Sequence, residues 1–213
     1  MKHETEVKLV ISCLPAEARR RIEEAGGRIE HGRVFEDNCL YDDPVLTLTR
    51  AGQVLRLRRA APAGIETPAA AASASRPRLP LPGAASSSTG AWLTFKEPAG
   101  RDEGRYKVRG EAETAVEDAD NLDTMLQRLG YRIIYRYQKY RTTFRAGSLE
   151  ICLDETPIGD FLELEGEPDA IDAFAATLGY APPDYIALSY RGLQEQRLAG
   201  TGREPGDMVF VSE

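Results

Sequence analysis

Charged and apolar residues alternate along several short segments of this chain. Near the N-terminus, Glu4, Glu6 and Lys8 alternate with Val7 and Leu9. The same period recurs in residues 55–58, 109–113, 139–141 and 162–165. Successive side chains of a β-strand point to opposite faces, so each segment is predicted to be a strand that carries its charges on one face.

The charged faces of these predicted strands allow two interpretations. An ordinary half-buried strand turns its charged face to solvent, and that interpretation suffices for any one segment. Acids and bases at this density on several strands favour instead a closed sheet with a charged interior. Such an interior would suit a polyanion bound together with metal ions.

The hydrophobic pattern predicts more strands than helices. Strands are expected at about 3–12, 33–41, 52–59, 91–97, 104–114, 131–145, 148–154 and 160–166. Helices are expected at about 16–25, 117–129, 169–178 and 184–197. Many strands with few interleaved helices favour a mainly antiparallel barrel over a parallel doubly wound sheet.

The length of 213 residues, 42% of them hydrophobic, is typical of one domain, here expected over residues 1–198. Residues 60–90 consist largely of Ala, Pro and Ser, with almost no large apolar side chain. Such a segment buries too little surface to offset the entropy of ordering, so we interpret it as a disordered insertion between two neighbouring strands. Residues 199–213 are expected to form a loosely ordered tail.

Composition excludes several classes of protein. A net charge of −7 disfavours a general nucleic-acid binder, which usually has a basic surplus. Three cysteines without C-x-x-C spacing indicate neither a disulfide framework nor a zinc site. No apolar run approaches the roughly 20 residues that span a bilayer. A cytoplasmic protein without membrane or nucleic-acid partners is therefore expected.

The acids on the predicted strands are candidate metal ligands. Hard carboxylate oxygens without His or Cys partners select Mg²⁺ or Mn²⁺ over zinc. Acids buried in this number would repel one another unless metal ions or bases compensate them. The candidates are Glu4, Glu6, Glu111, Glu113, Asp154, Glu163 and Glu165.

The bases on the same strands are candidate phosphate ligands. Arginine presents a fork of donors that matches phosphate oxygens, and lysine provides a point charge. Together these residues supply more positive charge than one phosphate needs, so a triphosphate with one or two divalent ions would match the mixture. The candidates are Lys8, Arg56, Arg58, Lys96, Arg109, Lys139 and Arg141.

These motifs resemble a known family. The sequence ETEVK at 4–8 resembles the E-x-E-x-K motif of the CYTH domain, which defines the triphosphate tunnel metalloenzymes. LRLR at 55–58, TFK ending at Lys96, R-x-E-x-E at 109–113 and K-x-R at 139–141 agree in order, as does the acidic stretch LDETPIGDFLELE at 153–165. The resemblance covers about residues 2–195 and is interrupted by the insertion.

The resemblance implies an α+β fold, an eight-stranded antiparallel β-barrel that forms a tunnel with a charged lumen and with helices packed outside. It implies that the seven candidate bases hold the triphosphate and that the acids ligate Mg²⁺ or Mn²⁺, with Glu111 and Glu113 assisting. It also implies catalytic roles for Glu4, Glu6 and Lys8. Arg136, close to the K-x-R pair, is a weaker candidate.

The resemblance leaves the reaction open. Members of the family are class IV adenylyl cyclases, which convert ATP to cyclic AMP and pyrophosphate, or thiamine and inorganic triphosphatases. The expected partner is thus a small-molecule triphosphate: ATP, thiamine triphosphate or inorganic triphosphate. A non-catalytic module that binds polyphosphate or nucleotide is the alternative from another class, and a homodimer is left open.

Overall fold

The computed structural model describes residues 2–63, 89–100, 105–202 and 204–211. The segments in which charged and apolar residues alternate lie in a set of eight strands. The strands are β1 (Lys2–Val10), β2 (Arg28–Asp42), β3 (Val54–Pro62), β4 (Gly90–Lys96), β5 (Lys107–Ala115), β6 (Arg132–Ala146), β7 (Leu149–Thr156) and β8 (Gly159–Glu165). The helices are α1 (Pro15–Glu24), α2 (Thr47–Arg50), α3 (Ala119–Arg128), α4 (Pro168–Thr177) and α5 (Tyr190–Leu198), with a 3-10 turn at Pro182–Asp184.

The strands form a closed antiparallel barrel in the order β1-β5-β4-β3-β2-β6-β7-β8. β1 closes it, because its first half pairs with β5 and its second half pairs with β8. Closure gives each of these strands a neighbour on both sides and encloses one face of every strand. The predicted eight-stranded barrel with external helices is confirmed.

The apolar faces of the strands point outward and are covered by helices. Val7 and Leu9 of β1 are fully buried in a cluster with Ile22 of α1 and Ile171 of α4. On another side, Leu57 of β3 packs in a cluster with Leu126 of α3. Because the helices take the apolar faces, the alternating charged positions are left to line the lumen.

Helix α5 covers one end of the barrel. Tyr135, Tyr137 and Phe161 lie on the lumen-facing side of their strands, and they cluster with Tyr190 and Leu193 of α5. The helix begins at Tyr190, later than the sequence pattern predicts, because Ser189 caps it by accepting a hydrogen bond from the Gly192 amide. The tunnel therefore has an aromatic end.

The segment before α5 is held in extended form. Pro182 and Pro183 occupy the 3-10 turn, and Ile186 then exchanges two backbone hydrogen bonds of 2.9 Å with Lys8. This short bridge pairs with β1 past Glu6, the last residue of β1 that pairs with β5. Pairing with β1 therefore delays the start of the helix.

The C-terminal residues predicted to be loosely ordered are described over 199–202 and 204–211. In the second range, Met208 is 1% exposed and forms backbone hydrogen bonds with Arg136 and Gln138 of β6. Most of the predicted insertion, residues 64–88, lies outside the described residues. None of the helices in the described part of the chain has the length and hydrophobicity that crossing a bilayer requires.

Candidate active site in the barrel lumen

The lumen contains a cavity of about 740 Å³ that is lined by side chains from all eight strands. Most of the predicted site residues meet there, although they are far apart in sequence. Those that line the cavity are Glu4, Glu6, Lys8, Arg56, Arg58, Lys96, Arg109, Glu111, Glu113, Lys139, Arg141, Glu163 and Glu165. Asp154 is fully buried behind this wall.

Lys8 joins two acids across neighbouring strands. Its ammonium nitrogen lies 3.2 Å from Oε1 of Glu6 and 3.1 Å from Oε1 of Glu163. Burial alone would lower the pKa of Lys8, but Glu163 and Glu6 raise it above its ordinary value. Lys8 is therefore a fixed cation in the lumen.

Lys139 and Arg141 form a second group of fixed cations. Both contact Asp154, and the Lys139 ammonium lies 2.9 Å from Oδ2 of that carboxylate. Arg141 also pairs with Glu163. Burial opposes charge on the Glu163 carboxylate, but Lys139, Lys8 and Arg141 hold its pKa well below the usual range.

Two arginines of β3 share one acid of β5. The guanidinium groups of Arg56 and Arg58 lie 3.4 and 3.3 Å from the Glu113 carboxylate. Arg56 also donates to Thr94, whose hydroxyl donates to Glu113 at 2.7 Å. Arg58 reaches in addition to Oε1 of Glu36 at 3.4 Å. These contacts aim both guanidinium groups into the cavity.

Glu4 and Glu111 form a pair of neighbouring carboxylates. Lys96 bridges them, with 3.2 Å between its ammonium nitrogen and Oε2 of Glu4 and a further contact to Glu111. Burial, together with a hydrogen bond to Glu4, raises the pKa of Glu111 to about 7, although Lys96 opposes this shift. Two acids this close favour binding of a cation or a shared proton.

The sequence analysis missed several charged residues that line the cavity, among them Glu36 of β2, Lys107 of β5 and Glu150 of β7. Glu36 of β2 is buried, and although burial would raise its pKa, Lys139, Arg141 and Arg58 lower it to about 2. Lys107 of β5 pairs with Glu6. Lys107 lies one step before Arg109 in the alternation of β5, so extending that period would have found it, whereas no alternation of charge marks Glu36 on β2.

Lys107 differs from the other lumen lysines in its electrostatic surroundings. Burial and the neighbouring Lys8 lower the pKa of Lys107 to about 8, against the opposing effect of Glu6. It lines the cavity beside Arg109, two residues further along β5. Lys107 therefore adds to the basic wall that the R-x-E-x-E motif begins.

Arg136, the weaker candidate, lies outside the lumen. Its guanidinium forms a two-point pair with Asp37, with distances of 2.8 and 2.6 Å. Arg136 is an odd number of residues away from Lys139 and Arg141 on β6, so its side chain lies on the opposite face of the strand and points outward. Tyr135 and Tyr137 have the lumen-facing parity and line the cavity.

The carboxylates of the lumen fit a hard divalent ion in chemical kind. Among the residues that the structure describes, no three acidic, His or Cys side chains are grouped as a metal centre. In this structure Lys96 bridges Glu4 and Glu111, while Lys8 bridges Glu6 and Glu163. Each of these lysines thus contacts two of the carboxylates that were predicted to bind metal.

The family model of the CYTH domain matches residues 2–180. The chain belongs to the CYTH domain family. Proteins of this family act on triphosphates and generally depend on divalent metal. No curated protein sequence matches this CYTH chain.

Solved structures agree with the CYTH fold. A candidate adenylate cyclase from Vibrio parahaemolyticus is 21% identical, with a TM-score of 0.65, over 91% of this chain and 98% of that one. A protein from Pyrococcus horikoshii is 22% identical, with a TM-score of 0.62, over 91% and 99%. A candidate adenylyl cyclase from Hippeastrum, described as having a dominant triphosphatase activity, is 13% identical, with a TM-score of 0.55, over 96% and 98%. At these identities the likeness shows the fold.

Proposed function

We propose that this CYTH protein is a divalent-metal-dependent enzyme that hydrolyses a small-molecule triphosphate inside the barrel. The observation that carries the proposal is one cavity that is lined by acids and bases from all eight strands. Charge developing on phosphate oxygens during attack at phosphorus is stabilised by fixed cations, and the barrel wall presents them already oriented.

The bases would hold the triphosphate. Arg56, Arg58 and Arg141 present forked donors, while Lys8 and Lys139 are buried point charges. Their ion pairs keep the side chains in place before a ligand arrives, so less entropy is lost on binding. Lys96 and Arg109 extend this basic surface along β4 and β5.

The acids would hold Mg²⁺ or Mn²⁺, with Glu4, Glu6, Glu163 and Glu165 as principal ligands and Glu111 and Glu113 assisting. A bound divalent ion supplies charge neutralisation on the phosphate oxygens and lowers the pKa of a bound water. Lys8 and Lys96 now bridge pairs of these acids. A triphosphate that binds these lysines would free carboxylate oxygens to bind the metal ion. The triphosphate and the metal ion should therefore bind cooperatively.

A second candidate is cyclisation of ATP, in which the ribose 3′-hydroxyl attacks the α-phosphate in place of water. It is favoured by the aromatic end of the tunnel, where Leu40, Tyr135 and Tyr137 line the same cavity. A volume of about 740 Å³ lies within the range of drug-sized ligand sites and leaves room for a nucleoside beside the phosphates. The charged residues serve both reactions.

Product analysis tests the proposal. Purified protein is incubated with Mg²⁺ or Mn²⁺ and, separately, with ATP, thiamine triphosphate and inorganic triphosphate. We expect orthophosphate from at least one substrate and no turnover after exhaustive chelation. Cyclic AMP with pyrophosphate would identify the cyclase, whereas tight binding of every triphosphate without product would identify a non-catalytic binding module.

Substitution of the acids tests their role. Glu4→Gln and Glu165→Gln should each lower kcat at least about a hundredfold, the scale of losing a principal group that stabilises the transition state. Glu24→Gln on the exposed face of α1 is the matched control and should leave kcat unchanged. Near-wild-type rates in both lumen variants would mean that these acids take no part in the reaction.

A further inference from the structure

Asp154 differs in position from the other acids predicted to bind metal. Its side chain is fully buried on β7, whereas Glu4, Glu6, Glu163 and Glu165 all have surface on the cavity. Aspartate is one methylene shorter than glutamate, so its carboxylate stays close to the barrel wall. A metal ion in the cavity would have to pass the side chains that cover it.

Both oxygens of the Asp154 carboxylate also accept hydrogen bonds from the protein. Oδ1 accepts from Nε of Arg141 at 2.6 Å. Oδ2 accepts from Nη2 of Arg141 at 2.6 Å, from the ammonium of Lys139 at 2.9 Å and from the hydroxyl of Tyr190 at 2.6 Å. A carboxylate oxygen offers about two lone-pair sites, so the three hydrogen bonds to Oδ2 saturate that oxygen, while Oδ1 is held by Arg141.

Tyr190 brings helix α5 into this group. It is the first residue of α5 and is 5% exposed. Its ring centroid lies 5.2 Å from the ammonium nitrogen of Lys8 and 5.2 Å from that of Lys139. The ring thus packs against two phosphate-binding candidates while its hydroxyl binds Asp154, which makes the arrangement a connected buried unit.

We propose that Asp154 is a positioning residue that holds Lys139 and Arg141 toward the triphosphate, with Tyr190 fixing it from α5, and that it is not a metal ligand. The proposal rests on the proposed function and changes one residue role within it. A metal ion at this buried group would compete with a bidentate arginine, a lysine and a tyrosine that already bind it. Metal binding at the cavity glutamates requires smaller movements.

Metal binding without substrate tests the claim that Asp154 is not a metal ligand. Mn²⁺ is titrated into the full-length metal-free protein and followed by electron paramagnetic resonance, for wild type, Asp154→Asn and Glu165→Gln. Both variants remove one negative charge from the same barrel, so a difference between them reports ligation and not charge. We expect Glu165→Gln to weaken Mn²⁺ binding at least about tenfold more than Asp154→Asn does.

Phosphate binding tests the claim that Asp154 positions Lys139 and Arg141, with variants that keep the charge. Inorganic tripolyphosphate is titrated calorimetrically in the presence of chelator into wild type, Asp154→Glu and Tyr190→Phe. Asp154→Glu displaces the carboxylate by a methylene and should weaken binding at least about tenfold. Tyr190→Phe keeps the ring and removes one hydrogen bond to a charged group, which should weaken binding about tenfold or somewhat less. Neither should weaken Mn²⁺ binding.

The outcomes separate this proposal from the proposed function. If Asp154→Asn weakens Mn²⁺ binding as much as Glu165→Gln, or if Tyr190→Phe leaves tripolyphosphate binding unchanged, the positioning role is overturned. Should Asp154→Glu fail to fold, Tyr190→Phe still decides, because it alters neither charge nor backbone. Wild-type protein that binds no tripolyphosphate, either in chelator or with Mn²⁺ present, would instead contradict the proposed function.

Discussion

At the scale of single residues, Arg58 illustrates how the lumen orients a cation before any ligand binds. Its guanidinium lies between Glu36 on β2 and Glu113 on β5, and 4.8 Å from the ring of Trp92. Contacts on several sides fix the plane of the fork. A planar, fixed fork matches the oxygens of a phosphate better than a point charge does.

Arg58→Lys should therefore be costly although it keeps the charge. We expect KM for every triphosphate to rise about ten- to a hundredfold, since a charge-assisted hydrogen bond contributes about 1.5–3 kcal/mol. The measurement is kcat and KM for ATP and inorganic triphosphate, with Arg19→Lys on the exposed face of α1 as control. Loss of ATP turnover with inorganic triphosphate unaffected would show that Arg58 reads the nucleoside.

The sequence predicts which residues of a strand share a face, but it does not predict which side chains contact one another. Alternation along one strand places Glu4, Glu6 and Lys8 on one face without any tertiary information. Tyr190 carries no such signal, because it lies on a helix whose approach to Asp154 depends on how the chain returns to the barrel. The sequence therefore predicts which residues face the lumen better than which of them touch.

At the scale of elements, residues near the C-terminus pack at the end of the barrel that helix α5 covers. Met208 forms backbone hydrogen bonds of 2.9 and 2.8 Å with Arg136 and Gln138 of β6. Its side chain is almost fully buried in the aromatic cluster with Tyr135 and Tyr190. This segment therefore supports α5, which in turn contacts the lumen cations.

Met208→Ala should lower the free energy of unfolding by about 2–4 kcal/mol, the usual cost of removing a buried side chain of this size. Val211→Ala is the matched control, because Val211 is 91% exposed and should change stability by less than about 0.5 kcal/mol. Urea denaturation followed by circular dichroism measures both. Equal stabilities in the two variants would mean that the Met208 contact contributes nothing in solution.

Element boundaries depart from the pattern where tertiary pairing decides them. β2 begins at Arg28, earlier than its apolar alternation predicts, because its exposed first half pairs with β6 through register shifts. Helix α5 begins at Tyr190 and not near 184, because the preceding residues pair with β1. Both differences come from backbone hydrogen bonds to distant strands, which local sequence does not encode.

At the scale of the whole molecule, the barrel has inverted polarity, with charge inside and apolar faces under helices. The sequence allowed this inference because charged faces recurred on many strands, and the family resemblance then supplied the closed order of strands. What it could not supply was the pairing of acids with bases. Those ion pairs form only after strands as distant as β1 and β8 have met.

A lumen assembled from distant strands predicts that a ligand stabilises the entire fold. The phosphate-binding candidates lie on β1, β3, β4, β5 and β6, so they converge only in the closed barrel and the unfolded chain should bind little. A ligand specific for the folded state at a hundred times its Kd adds about 2.7 kcal/mol to the free energy of unfolding.

For a domain of this length, that increment should raise Tm by about 5–11 °C. The measurement is calorimetric unfolding of the metal-free protein with saturating tripolyphosphate, since without metal no turnover is expected. Sulfate at matched ionic strength is the control, because it screens the repulsion among lumen bases without bridging distant strands. An equal rise with sulfate would mean that the lumen responds to ionic strength alone and does not close around a triphosphate.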